Sequence, residues 1–238
     1  MKIALLGYGK MGKAIEGIAL ERGHEIVLKI NSSNLCDLTK ENLLKVDVAI
    51  EFSIPKQALA NIEICLQAGT PVAVGTTGWS DSKEFVYEQV RKSNGSFLSA
   101  SNFSVGVNIF FEINRRLAEL MGNHKSYTSE IQEIHHTEKL DSPSGTAITL
   151  ADEIIKSNDL YSHWENEAND NMEVLEIISN RESGVSGTHK VTYDSIIDRI
   201  SIKHEAKNRK GFALGALLAA EYIYTKKGIF TMHDVLKN

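Results

Sequence analysis

An apolar run, Ile3 to Leu6, leads without interruption into Gly7, Tyr8, Gly9, Lys10, Met11 and Gly12, so a G-x-G-x-x-G pattern stands directly behind the first strand signal. Each glycine answers a steric demand. Gly7 lets the chain turn sharply off the strand, Gly9 lets backbone N–H groups approach a pyrophosphate, and Gly12 lets the following helix pack close to the sheet. That helix offers unpaired N–H donors and a partial positive charge at its N-terminus. Set between a strand and a helix, the pattern predicts a dinucleotide site built from Gly7 to Gly12.

The periodicity behind it predicts a doubly wound sheet. Strand signals at 3–6, 26–30, 46–52, 71–74 and 97–100 alternate with helical stripes at 10–22, 55–68 and 80–93. Pro55 pre-sets a first helical turn, and Gly23 and Gly69 stop the helices before them. Strand–helix–strand alternation demands crossover connections, and hence parallel strands. The rhythm then changes. A helix at 108–121, a strand at 127–134 and a helix opened by Thr146 and running to 157 precede strands at 174–178, 188–193 and 197–204. In the last, Ile200, Ile202 and Ala206 alternate with Ser201, Lys203 and Glu205, as in a sheet with one wet face. Residues 157–171 are polar and aperiodic and read as a loop. Residues 212–224 form a helix too apolar for the surface, expected to pack back on the N-terminal sheet. The predicted fold is therefore α/β: a Rossmann-like domain at 1–103, completed by a C-terminal helical segment at 209–238, plus an α+β domain at 104–208.

Composition excludes several classes. A formal net charge of −5 without a basic stripe argues against nucleic acid as a partner. Two cysteines, Cys36 and Cys65, lack metal-ligand spacing and read as reduced thiols of a cytoplasmic protein. No apolar stretch approaches the roughly 18 residues of a membrane span, and no secretory leader pattern opens the chain.

The densest cluster of chemically capable side chains runs from Glu130 to Ala147 and contains Glu133, His135, His136, Lys139, Asp141, Ser144, Gly145 and Thr146. Adjacent histidines at a strand end point to opposite faces, so one metal is not expected to take both, and no metal site is predicted. A histidine titrates near neutrality and a lysine supplies a fixed cation. Ser144, Gly145 and Thr146 open a helix whose hydroxyls and N–H groups suit an anion. Such a set fits a small acidic substrate undergoing reduction or proton transfer. Read blandly, the same stretch is a polar turn, with Asp141 and Thr146 as turn and cap residues. Two further loops, Gly75-Thr76-Thr77 and Ala100-Ser101-Asn102-Phe103, end strands at the sheet's carboxyl edge, where ligands of doubly wound folds sit.

The fingerprint ending in Met11-Gly12, the Gly75 loop, the stretch from Ser101 to Asn108 and H-H-x-x-K-x-D-x-P-S-G-T-A occur here in fixed order. Together they resemble the dihydrodipicolinate reductase (4-hydroxy-tetrahydrodipicolinate reductase) family of lysine and diaminopimelate biosynthesis, over nearly the whole chain. The resemblance implies that NADH or NADPH reduces a cyclic imine dicarboxylate formed by dehydration of the hydroxylated ring. It implies His135 as proton donor and acceptor, Lys139 as proton donor, and His136, Ser144, Gly145 and Thr146 as substrate contacts. Gly7, Tyr8, Gly9, Lys10, Met11 and Gly12, with Asn31, Ser32, Gly75, Thr76, Thr77, Ala100, Ser101, Asn102 and Phe103, would meet the cofactor. The family's two domains close on substrate and usually assemble as homotetramers.

The chain departs from that pattern in places. Its fingerprint is one residue shorter than the G-x-x-G-x-M-G of many members. The second strand ends in Lys29-Ile30-Asn31-Ser32-Ser33, without the acidic residue that binds an adenosine ribose or the arginine that takes a 2′-phosphate. The missing carboxylate favours NADPH, with Lys29, Ser32 and Ser33 as partial substitutes for arginine. Ile54, where some members carry an arginine, argues the other way. Two alternatives remain: a non-catalytic NAD(P)-sensing regulator, and another small amino-acid dehydrogenase such as an aspartate dehydrogenase. Neither has need of the histidine–lysine turn.

Overall fold

The computed structural model describes residues 1–168, 171–208 and 210–237. Within the expected loop at 157–171, Asn169 and Asp170 lie outside the described residues, as do Arg209 and Asn238 of the C-terminal segment. The chain forms two compact units, one of Met1–Val105 with Arg209–Asn238, the other of Gly106–Asn208.

The first unit opens with β1 (Lys2–Leu6), α1 (Lys10–Glu21), β2 (Glu25–Ile30), a short α2 (Lys40–Leu43), β3 (Val48–Glu51), α3 (Pro55–Ala68), β4 (Val72–Val74), α4 (Lys83–Lys92) and β5 (Ser96–Ser99). The second unit holds α5 (Val105–Met121) from its second residue on, then β6 (Thr128–His135), α6 (Gly145–Ser157), β7 (His163–Glu165), β8 (Val174–Arg181), β9 (Thr188–Asp194) and β10 (Arg199–Glu205). The chain returns to the first unit with α7 (Lys210–Ile223), β11 (Gly228–Phe230) and α8 (Met232–Leu236).

Six parallel strands in the order β11-β5-β4-β3-β1-β2 make the first sheet. Strand alternation divides its core in two. Ile3, Leu5, Val48, Ile50, Ala73 and Leu98 face α1 and α7, whereas Ala4, Leu6, Ala49, Val72, Val74 and Phe97 face α3 and α4. The apolar 212–224 segment thus does pack on this sheet, with Ala213, Ala216, Leu217, Ala220 and Ile223 buried. Each buried Leu or Ile contributes about 1.5–3 kcal/mol relative to exposure. The C-terminal segment at 209–238 is not wholly helical: β11 follows α7 and pairs with β5, adding a sixth strand. Its three residues are too short to leave a periodic signal.

The second sheet is mixed, β10-β9-β6-β8-β7. Antiparallel pairs join β6 to β9 and β9 to β10, while β8 runs parallel to both β6 and β7. On one face Ile131, Ile177, Val191 and Tyr193 pack against Phe110, Ala118 and Met121 of α5 and Ala147, Leu150, Ala151 and Ile154 of α6. The expected loop at 157–171 contains the edge strand β7, three residues with polar flanks that no alternation betrays. Strand β10 begins at Arg199 rather than at 197, and Ile196 and Ile197 stand exposed in the preceding turn.

Candidate active site

In the first unit, strand order reverses between β1 and β3, so the turns after these strands flank a crevice at the carboxyl edge. Gly7 turns with φ +100, and a Cβ there would stand 2.0 Å from the Phe52 carbonyl oxygen. Its N–H and that of Tyr8 donate to the Ile30 carbonyl (2.9 and 2.8 Å). Gly9 differs: a Cβ built on it meets nothing within 4 Å. It is the N-cap of α1, whose first turn has neither a side-chain cap nor an acidic residue. A cavity of about 500 Å³ opens here, lined by Gly9, Lys10, Met11, Phe52, Ser53, Pro55, Gly75, Thr76 and Thr77. Uncapped N–H groups, Lys10 and a position cleared of side chain fit the diphosphate of a dinucleotide.

Six expected cofactor residues therefore line one cavity. The others have different surroundings. Phe103 is buried, its ring 5.6 Å from that of Phe52, and Ala100, Ser101 and Asn102 follow β5 at the same sheet edge. Asn31 ties the turn after β2, its side-chain oxygen accepting the Ser33 N–H (2.8 Å) and hydroxyl (2.7 Å); Ser32 is exposed beside it. Lys29 pairs with Glu16 at 2.5 Å, lies over the Tyr8 ring, and shares Glu16 with the Tyr8 hydroxyl. Lysine and tyrosine together hold the Glu16 carboxyl below its usual range. Phe52, Ser53 and Pro55 are additions to the expected set, and the Ser53 N–H donates to the Thr76 hydroxyl at 2.8 Å. Their signal was topological: they follow β3 at the edge already marked by Gly7 and Gly75.

In the second unit, alternation along β6 turns Ile131, Glu133 and His135 to the helix-covered face. His135, the last strand residue, is 8% exposed, while His136 beyond it is half-buried. Glu133 is fully buried and collects donors from four segments. The Ser144 N–H donates to both its oxygens (3.1 and 3.2 Å), and the Ser179 hydroxyl to Oε1 (2.8 Å). Arg181 Nη1 lies 3.6 Å from Oε1, with His189 Nε2 and His135 Nδ1 each 3.5 Å from Oε2. Burial alone would raise the Glu133 carboxyl, but His189, Ser144, Ser179 and the field of His135 drive it well below the usual carboxylate range. Burial, with the neighbouring His189, Lys139 and Arg181, pushes His135 down to about 4, against the opposing pull of Glu133.

Ser144, rather than Thr146, caps α6: its hydroxyl accepts the Ala147 N–H at 3.2 Å and lies 3.1 Å from His189 Nε2. Gly145 and Thr146 form the first turn behind it. Lys139 donates to both Asp141 carboxylate oxygens at 2.7 Å. Partial burial would raise Asp141, but Lys139 holds it below its usual range. Arg181 Nη2 donates to the Asp141 carbonyl at 2.7 Å, fastening the turn to β8. Glu133, His135 and His189 bring ligand atoms within 4.8 Å of one another, as a metal trio would. The serine donors and the Arg181 cation turned to the same carboxylate make it instead the centre of a hydrogen-bonded network. His189 and Arg181 carried no local signal, because only strand register sets Glu133 opposite His189 and His135 opposite Arg181.

A parallel nucleotide-type sheet with a glycine-walled cavity, joined in one chain to a sheet bearing a histidine–lysine turn, defines an α/β oxidoreductase of the dinucleotide-dependent class. Residues 1–103 match the N-terminal part, and residues 106–236 the C-terminal part, of dihydrodipicolinate reductase. The chain is 50% identical to the 4-hydroxy-tetrahydrodipicolinate reductase of Christiangramia forsetii, covering 100% of this chain and 98% of that one. It is 36% identical to the enzyme of the same name from Methanopyrus kandleri, over 80% of this chain and 71% of the other. The chain belongs to the dihydrodipicolinate reductase family. The fold agrees with a dipicolinate-bound dihydrodipicolinate reductase from Paenisporosarcina sp. TG-14, at TM-score 0.77, 22% identity and 97% coverage of both chains.

Proposed function

We propose that the chain reduces 4-hydroxy-tetrahydrodipicolinate, through its dehydrated cyclic imine, to tetrahydrodipicolinate in lysine and diaminopimelate biosynthesis. It is an NAD(P)H-dependent oxidoreductase by family. The observation that carries the residue assignments is the grouping of His135 and the α6 N-terminus around one buried carboxylate, with the Lys139 charge acting on His135 from the adjoining turn. Bound NAD(P)H supplies the hydride. Gly9 and the first turn of α1 receive the diphosphate, with Gly75, Thr76 and Thr77 across the cavity. Gly145 and Thr146 hold a substrate carboxylate, and His136 contributes a second polar contact. His135 delivers the proton to the carbon that gains electron density, and Lys139 stabilises the charge and can itself donate.

The electrostatics add a step to that reading. His135 is neutral in the free protein at physiological pH, so the proton it delivers is taken up from solvent when substrate binds. A dianionic dicarboxylate raises the pKa of a neighbouring imidazole. Substrate binding therefore takes up a proton, measurable as a buffer-dependent binding enthalpy. NADPH serves at least as well as NADH, because the β2 turn offers Asn31 where a carboxylate would repel a 2′-phosphate. The working form is a homotetramer in the cytoplasm, its mass checkable by light scattering; no described helix is long and apolar enough to cross a membrane.

The deciding assay follows NADH and NADPH oxidation with enzymatically generated substrate. Turnover with dependence on His135 supports the reading, and failure of both cofactors refutes it. Asn31→Asp shifts kcat/KM toward NADH. A wild-type preference for NADH above about tenfold, roughly 1.4 kcal/mol, contradicts the cofactor assignment.

A further inference from the structure

Among the described residues of the second unit, Glu133 is the most completely buried charge, yet the proton transfer from His135 gives it no direct part. Its position is specific. It stands two residues before His135 on β6, on the same face, with Oε2 3.5 Å from His135 Nδ1. The same carboxylate receives the N–H of Ser144, the cap of the helix whose first turn holds Gly145 and Thr146. His189 closes the group, its Nε2 between Ser144 Oγ (3.1 Å) and Glu133 Oε2 (3.5 Å), its ring packed edge-on against His135 at 5.0 Å between centroids. On the opposite edge of the His135 ring stands Gly187, where a Cβ would come to 3.3 Å from Cδ2 and Nε2. One ring edge thus faces a carboxylate and the other a residue without a side chain.

We propose that Glu133 is the positioning residue of this site: it fixes His135 as the Nδ1–H tautomer, leaving Nε2 as the proton-exchanging atom, and ties that ring to the α6 N-terminus. The proposal rests on the proton-donor reading of His135. An anionic carboxylate beside Nδ1 draws the imidazole proton to that nitrogen, the arrangement by which a buried carboxylate orients a catalytic histidine. The separation of 3.5 Å is long for a hydrogen bond, as catalytic contacts often are before substrate tightens them. The other charged or titratable groups facing His135 are His189 from β9, Arg181 from β8 and Lys139 with its partner Asp141 from the turn. Glu133 raises the affinity of His135 for a proton where His189, Lys139 and Arg181 lower it, so its loss should make the ring harder to protonate. A purely structural Glu133 would not govern tautomer or titration.

The test joins nitrogen-15 NMR of the histidines with kinetics. In the wild-type protein, His135 should show a protonated Nδ1 and a bare Nε2 at neutral pH. Glu133→Gln should mix the tautomers, shift the His135 titration to lower pH and lower kcat by roughly 10²-fold. Substrate-free NADPH binding should stay unchanged, and Glu133→Asp, which keeps the charge, should recover part of the rate. An Nε2–H tautomer in wild-type protein overturns the proposal even if Glu133→Gln does not fold. So does a folded Glu133→Gln with wild-type tautomer, titration and kcat. If His135→Ala itself keeps kcat, the proton-donor reading fails instead, so the two failures are separable.

Discussion

The two candidate sites are made of different material. In the first unit, Gly9, Gly75 and the uncapped N-terminus of α1 line the cavity with Lys10 and otherwise neutral side chains, and Lys29 is compensated by Glu16. In the second, a buried carboxylate, two histidines, an arginine and a lysine converge on one strand end and one helix cap. Backbone recognition suits a cofactor common to many enzymes, since it demands only shape and partial charge. Proton transfer needs groups whose pKa values the surroundings move, and only side chains provide that. Damage in the first region should therefore appear in binding, and damage in the second in turnover.

The largest expected effect is on turnover. His135→Ala should lower kcat by roughly 10²–10⁴-fold, the usual worth of a positioned acid, and move KM much less. Steady-state kinetics and thermal melts on one preparation check it; a folded variant with near wild-type kcat would erase the contrast. Next comes Gly9→Val. Since a Cβ at Gly9 meets no protein atom within 4 Å, the melt should be unchanged while NADPH binding weakens roughly 100-fold, about 2.7 kcal/mol. Gly7→Val is the control: its side chain collides with the Phe52 carbonyl, so folding itself should be lost. Both variants behaving alike would show that backbone approach does not distinguish the two glycines.

Thr146→Ala sharpens the division within the second unit. A lost hydrogen bond to a charged group costs about 1.5–3 kcal/mol, so KM should rise roughly tenfold or more with kcat little changed. A drop in kcat alone would place Thr146 with the proton chemistry. The smallest effect is on stability in acid. His135 titrates near 4 when folded and near 6.5 when unfolded. Between these values the unfolded chain binds more protons, so stability is lost as pH falls through this window. Glu133, whose folded pKa is depressed, loses its contribution at still lower pH, with the same sign. Melts at pH 7.5 and pH 5 should differ by a few degrees, and by less in His135→Ala. A difference unaltered by that substitution assigns the acid lability elsewhere.

The same contrast explains what the sequence made legible. The first unit was readable because its signals are local: glycines at fixed spacing, a proline at a helix start, and apolar runs that alternate across two buried faces. What escaped there, β11 and the Phe52–Pro55 segment, depends on sheet order. In the second unit the histidine–lysine turn was visible, but the predicted strand stopped at 134, and it is the extension of β6 to His135 that sets Glu133 and His135 on one face. The partners His189 and Arg181 come from strands many residues away and meet Glu133 through pairing register, which no local pattern encodes. Helix α6 shows the limit of reading a cap from composition: Thr146 and Ser144 are both acceptable caps, and the Glu133 carboxylate that receives the Ser144 N–H marks which one is used.

The separation of nucleotide binding from proton transfer is tested most directly by a fluorescence titration of NADPH, without substrate, on a His135→Ala, Lys139→Ala double variant. A dissociation constant within about twofold of wild type, in a protein whose kcat has fallen by at least roughly 10²-fold, is the predicted result. A folded double variant whose NADPH affinity falls tenfold or more, or one that keeps its turnover, would contradict it.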